Sequence, residues 1–306
     1  NRGHYHGDQL ALHWADQSRP LMVDHHVSFN PRAGQEHMHN RLSFGTAEMP
    51  WANMDGHERV LGLVTHPEVD VSVGEVTSRR LRHMPRLPPE EWDQRWNVLP
   101  LSGELRYERT VILLKGLDRD AVVLLDRWTG PQPLDVTFNA HVLENDLEFD
   151  GNVARAGRRF TAIRLLPEAA EAERFDFSHN NGAPESTVGV RWTTQAASGT
   201  FLTVLWPGAD PPPVAATATG LTVGPYAIAF GEGGAGSPFV QVSREGRPLV
   251  ALDSLDFNRS QGDIGIFVPD AGYPFGPIPP WLAEQRLARP PWARQLPGLL
   301  DPMERF

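Results

Sequence analysis

Seven of the twelve histidines lie within the first 39 residues: His4, His6, His13, His25, His26, His37 and His39. Imidazole ligates divalent metals and titrates near neutrality, so this crowding points to a metal site, to general acid/base work, or to both. The group His4-x-His6-x-Asp8 runs into an alternating segment, and Asp24 ends the segment that returns. His6 and Asp24 are therefore expected at the open end of one hairpin, where they can share an ion. A third ligand has to come from a nearby loop. His39, in Met38-His39-Asn40, is the best placed, with His57 and His66 behind it. Two imidazoles and one carboxylate leave an open position on zinc, or suit another divalent metal of similar softness. His13 alternates within a strand and His83 stands among arginines, so both read as ordinary hydrogen-bonded histidines. His25 and His26 follow Asp24 directly, and their residue type decides nothing between the two readings.

The elements that must position these residues are strands. In residues 9–15, Leu10, Leu12 and Trp14 fall on one face; residues 16–19 supply polar turn chemistry, and residues 20–24 return. Residues 110–115 and 120–128 are nearly continuous apolar runs joined by Gly116-Leu117-Asp118-Arg119, as expected for a central hairpin. Further strands are predicted over 134–143, 152–156, 159–166, 187–194, 200–206, 221–230, 239–243, 248–253 and 263–268. Gly and Pro, 28 each, punctuate these runs. The pattern predicts an all-β fold, a large antiparallel β-sandwich of the supersandwich kind. Residues 1–206 form its main part with the histidine-rich region. The three prolines within 209–214 mark a linker or long turn, because proline cannot donate to a ladder. Residues 207–268 continue the sheet or form a smaller one, and 269–306 form a Pro-rich tail in which only 281–289 has helical character.

Composition narrows the function further. A formal net charge of −10 disfavours a nucleic-acid role, which needs basic surface to neutralise phosphate. It also argues mildly against a polyanionic sugar, although local clustering can override a global sum. Arg79, Arg80, Arg82, His83 and Arg86 form one basic stretch, expected to be a solvated loop. No apolar run approaches the roughly 20 residues that a membrane helix needs. With no cysteine, disulfides and thiol catalysis are excluded. The opening Asn-Arg-Gly-His-Tyr-His has neither an initiator Met nor a signal-peptide pattern, and reads as the start of an excised or processed fragment.

The run Gly3-His4-Tyr5-His6-Gly7-Asp8-Gln9-Leu10-Ala11-Leu12, then Arg19-Pro20-Leu21-Met22-Val23-Asp24, then His39-Asn40, resembles the sandwich domain of heparinase II/III-like polysaccharide lyases. Downstream, residues 109–115 and 122–127 look like that family's paired core strands, and Phe138-Asn139-Ala140-His141 looks like its strand ending in histidine. Four weak pieces in the right order are fairly specific, and they cover about the first half of the chain. Tyr5 is a candidate accessory group, and the resemblance implies that His4 faces a cleft and takes part in catalysis. It implies that Arg109 and His141 bind substrate, and that His6, Asp24 and His39 ligate a divalent metal, usually zinc. It also implies an acidic polysaccharide substrate, an N-terminal α/α toroid domain or chain that this sequence cannot build, and a periplasmic or secreted setting. His25-His26 stand where the family has Pro-Gly, a departure in the loop after the metal-binding Asp.

The chemistry so implied is β-elimination at a uronic acid. The carboxylate is neutralised, a base takes the C5 proton, and an acid protonates the leaving glycosidic oxygen. Histidine suits either proton step, and Tyr107 is a further accessory candidate beside Tyr5. Two rival readings remain: a non-catalytic carbohydrate-binding or structural sandwich whose His-x-His-x-Asp only anchors a metal, and a cupin-like metalloenzyme. The latter lacks the Glu expected after His6.

Overall fold

The computed structural model describes residues 9–17, 19–23, 36–49, 52–54, 56–83, 97–177, 187–217, 219–232 and 238–252. Their elements are β1 (Trp14–Asp16), β2 (Arg19–Met22), a 3-10 turn (Glu36–Met38), β3 (Leu42–Gly45), β4 (Asn53–Met54), β5 (His57–Thr65), β6 (Val69–His83), β7 (Asn97–Leu114), β8 (Ala121–Val142), β9 (Leu147–Asp150), β10 (Val153–Ala156), β11 (Phe160–Leu166), β12 (Glu171–Phe177), β13 (Thr187–Trp206), β14 (Val214–Thr217), β15 (Gly220–Val223), β16 (Tyr226–Glu232), β17 (Pro238–Arg244) and β18 (Arg247–Leu252). The first thirteen form one sheet and the last five a second, with antiparallel pairing throughout. The expected strand over 263–268 and the Pro-rich tail lie outside the described residues.

The predicted hairpin at the start is present only as the short pair β1 and β2, with residues 9–13 outside any strand and Gln17 in the turn at φ 47°. The central pair is also present, but far longer than expected. β8 joins the stretches 120–128 and 134–143 into one strand of 22 residues, and β13 joins 187–194 to 200–206 in one of 20 residues. Both strands bend where the sequence carries its breakers. β8 passes Gly130-Pro131-Gln132-Pro133, and the register of β13 against β8 shifts between Ala196 and Ser198. Gly199 lets the bend close, since a Cβ there would sit 2.4 Å from the Trp128 ring.

The bend folds the sheet over its own core. Phe138 is the register partner of Trp192, nine residues before Phe201 on the same strand, which is roughly 30 Å along a straight strand. Yet the rings of Phe138 and Phe201 lie 6.1 Å apart. They close a large apolar core with Trp128, Trp192, Phe44, Leu105 and Val136. A second core, built from Val71, Val73, Ile112, Val123 and Val204 on the other face, packs against Leu221, Tyr226, Ile228 and Val242 of the five-stranded sheet.

β6 corrects the expectation of a loop around the basic stretch. Arg79, Arg80 and Arg82 sit in a strand of 15 residues paired with β7 on one side and with β4 and β5 on the other, with Arg79 and Arg80 exposed. The inward residues change phase along it. Val69, Val71 and Val73 face the second core, whereas Val76 and Leu81 face the first.

Candidate functional site

The polar centre of the molecule is built on Asn40, just beyond the 3-10 turn. Its amide nitrogen donates to the carbonyls of Leu12 and Val23, both at 2.9 Å, and its amide oxygen accepts the backbone N–H of His141 at 2.6 Å. One buried side chain therefore ties together the segment that follows His6, the residue immediately before Asp24, the neighbour of His39, and the end of β8. Main-chain bonds reinforce the knot: Leu12 donates to the Asn40 carbonyl and Val23 to that of His141. His39 is buried. His4, Tyr5, His6 and Asp24 lie outside the described residues, as do His25 and His26.

Beneath this knot lies a buried ion pair. Arg109 on β7 grips Asp126 on β8 through two bonds, at 2.6 and 3.0 Å, with its side chain 2% exposed and that of Asp126 0%. The two are register partners, so the ladder itself delivers the geometry. The Nη1 of Arg109 donates to the carbonyls of Leu10 at 2.9 Å and Asn40 at 2.5 Å. In place of the substrate cation expected from the sequence, Arg109 is a brace whose donors serve the protein. The reason is its strand phase, which points it into the core beside Tyr107. Tyr107 likewise donates to Asp126 at 2.9 Å, and burial pushes its phenol far above the ordinary range. Arg41 completes the cluster, its guanidinium 5.3 Å from the Tyr107 ring centre and one nitrogen on the Gln9 amide oxygen at 2.9 Å.

On the opposite face of β8 and β13, three strands line up His141, Gly189 and Phe175 as successive register partners. A Cβ at position 189 would come within 3.2 Å of both the His141 ring and Phe175, so glycine spares this row a tight contact. The rings of His141 and His37 each stand 6.4 Å from that of Phe175. Arg191, two positions further along β13, lays its guanidinium over Phe175 at 3.6 Å from the ring centre. Burial lowers its pKa to about 10. Sequence reading missed both Arg191 and Phe175. The available signal was the alternation Val188, Val190, Trp192 into the core, which leaves Gly189 and Arg191 on the other face of a fully buried run.

His66, held in reserve as a metal ligand, serves a different place. Its Nδ1 accepts the Glu68 N–H at 3.0 Å, and its carbonyl accepts from Lys115 at 3.1 Å. Around it Glu68 takes hydrogen bonds from Arg244, at 2.9 Å, and from Arg247, while Tyr226 donates to the carbonyls of Lys115 and Glu68. These contacts join the two sheets.

No protein-family model and no curated protein matches the chain. Solved structures do. The heparan sulfate lyase HepC from Pedobacter heparinus matches with a TM-score of 0.52 at 13% identity over 83% of this chain. This chain has the fold of part of a heparan sulfate lyase. A mutant of the same lyase matches at 0.55 with 14% identity over 83% of the chain, and a structure described as heparinase III at 0.51 with 14% identity over 81%. The chain spans 38% of the length of the two HepC structures and 35% of that heparinase III. What is shared is the fold of the β-sheet part.

Proposed function

We propose that this chain is the β-sandwich part of a polysaccharide lyase that cleaves uronic-acid-containing polymers by β-elimination, working with an α/α toroid supplied by another domain or chain. The observation that carries the reading is the Asn40 knot. It ties Leu12, in the segment that follows His6, and Val23, next to Asp24, to the neighbour of His39 in a fold similar to that of heparan sulfate lyases.

The donor set fits a divalent metal, with zinc the first choice. His39 is buried, and the side chain next to it holds the carbonyl next to Asp24. His6, Asp24 and His39 would hold the ion, which would supply a fixed cationic anchor for the segment carrying His4. In the reaction the uronate carboxylate is neutralised and the C5 proton passes to a base. The C–H electrons form the C4–C5 double bond, the C4–O bond breaks, and the departing oxygen receives a proton. His4 serves the acid/base step or the carboxylate, with Tyr5 beside it; His141 is fully buried, its backbone N–H on the Asn40 amide oxygen. Arg109 contributes indirectly by bracing the knot. A periplasmic or secreted setting follows from a polymeric substrate.

The chain's small share of the lyases it matches favours one alternative for the chain alone, a metal-containing carbohydrate-binding sandwich without turnover. Ultraviolet absorbance of the unsaturated uronide, followed on a panel of acidic polysaccharides with the chain alone and with its toroid, separates the two. The lyase reading expects product only with the toroid, and none with His4→Ala at unchanged melting temperature. Unchanged turnover in His4→Ala removes that residue's role, and polymer binding without product on any substrate favours the alternative.

A further inference from the structure

Arg191 is a cation with less compensation than its burial calls for. Its side chain is 6% exposed, and its Nε–H has no acceptor. One terminal nitrogen reaches the His37 carbonyl at a long 3.4 Å, and the other stands 4.0 Å from the Glu173 carboxylate. Arg109, equally buried, makes a short two-bond pair, so the fold can satisfy an arginine fully where structure alone is at stake. Stacking on Phe175 occupies the face of the guanidinium and leaves the in-plane donors for something else. Glu173, its register partner on β12, is 62% exposed, which puts that edge of the guanidinium at the solvent boundary under a loosely held carboxylate. Across the ladder on β8, Asn139 keeps its amide oxygen without a donor.

We propose that Arg191 is the anion-recognising group of a sugar-acid subsite, in which an incoming carboxylate or sulfate replaces Glu173 on the guanidinium. This rests on the polysaccharide reading above and adds to it the residue that selects for negative charge. A planar guanidinium pairs with a carboxylate or sulfate through two parallel bonds, which a side chain 4.0 Å away does not achieve. The unmatched Asn139 oxygen suits a neighbouring hydroxyl, so the pair fits a ligand carrying both an anionic oxygen and an O–H. Glu173 excludes neutral sugars poorly and anions conditionally, acting as a counter-ion to be displaced.

The test uses calorimetric titration of the full chain with a sulfated, uronic-acid oligosaccharide of the heparan type, with its desulfated form, and with its carboxyl-reduced form. The proposal expects Arg191→Gln to weaken binding by about tenfold or more, Arg191→Lys to recover only part of it, and Glu173→Gln to tighten it severalfold. The two modified ligands show which anion is taken: the wild-type preference lost on removing one group is the preference that Arg191→Gln erases. Should Arg191→Gln fail to fold, Glu173→Gln decides alone, since a merely structural ion pair gives no tightening. Wild-type binding that neither Arg191→Gln nor Glu173→Gln alters overturns the inference while leaving the lyase reading in place. Absence of wild-type binding to all three ligands likewise overturns the inference, while the lyase reading is decided separately by turnover with the toroid.

Discussion

Two arginine–carboxylate clusters in this molecule use the same chemistry in opposite surroundings. Arg109 and Asp126 meet inside the main core, while Glu68 gathers Arg244 and Arg247 at the half-exposed seam between the sheets. At the seam, water competes for every charge, so the pairs add orientation more than stability. In the core the desolvation cost of each ion is several kcal/mol, and only a full set of partners recovers it. The fold meets that demand with Tyr107 and the carbonyls of Leu10 and Asn40. Such a cluster is a poor means of gaining stability and a good means of fixing a loop. Its placement under the Asn40 knot marks this end as the one held to a defined geometry.

The contrast can be broken at three points. Asp126→Ala leaves Arg109 buried without its counter-ion, and is expected to cost about 3–5 kcal/mol in urea unfolding; a loss below about 1 kcal/mol would put the pair on a par with the seam. Asn40→Ala strips two carbonyls and one N–H of their partner, with an expected loss of about 3 kcal/mol and a melting transition that falls accordingly. At the seam the expected effect is smaller and depends on pH. Burial lowers the pKa of His66, and its Nδ1 accepts a hydrogen bond only when the ring is neutral. As pH falls below the ordinary histidine value of about 6.5, the unfolded chain takes up the proton before the folded one does. Stability therefore declines with acidification between that value and the lower folded pKa. His66→Gln is expected to flatten this part of the stability–pH profile, and an unchanged slope would show that His66 does not couple the seam to pH.

How much of this was legible in sequence depends on how many cores a strand serves. The β7–β8 hairpin announces itself because both its faces are apolar and buried. β6 hides because it passes from one core to the other. Its valines keep odd positions at 69, 71 and 73, then the inward residue moves to Val76, and a period-two pattern read across that switch dissolves. The long strands β8 and β13 were divided at Pro131, Pro133 and Gly199, residues that bend a strand as readily as they end one. Within the site, Arg109 is legible as a residue, but its buried pairing with Asp126 is not. Burial and strand phase turn Arg109 from a ligand-facing cation into a brace, and no spacing rule carries that information. Asn40 was visible only as the companion of His39, whereas three long-range bonds make it the joint of the whole end.

The claim on which the account turns is that His6, Asp24 and His39 act together as one metal site held by the Asn40 knot. Metal content of the purified chain by elemental analysis tests it most directly, in wild type and in the His39→Ala and Asp24→Asn variants. The account predicts about one divalent ion per folded chain, lost in both variants while the β-sheet circular dichroism persists. Full metal retention in either variant, or a wild-type chain that takes up no ion from zinc-supplemented buffer, would contradict it.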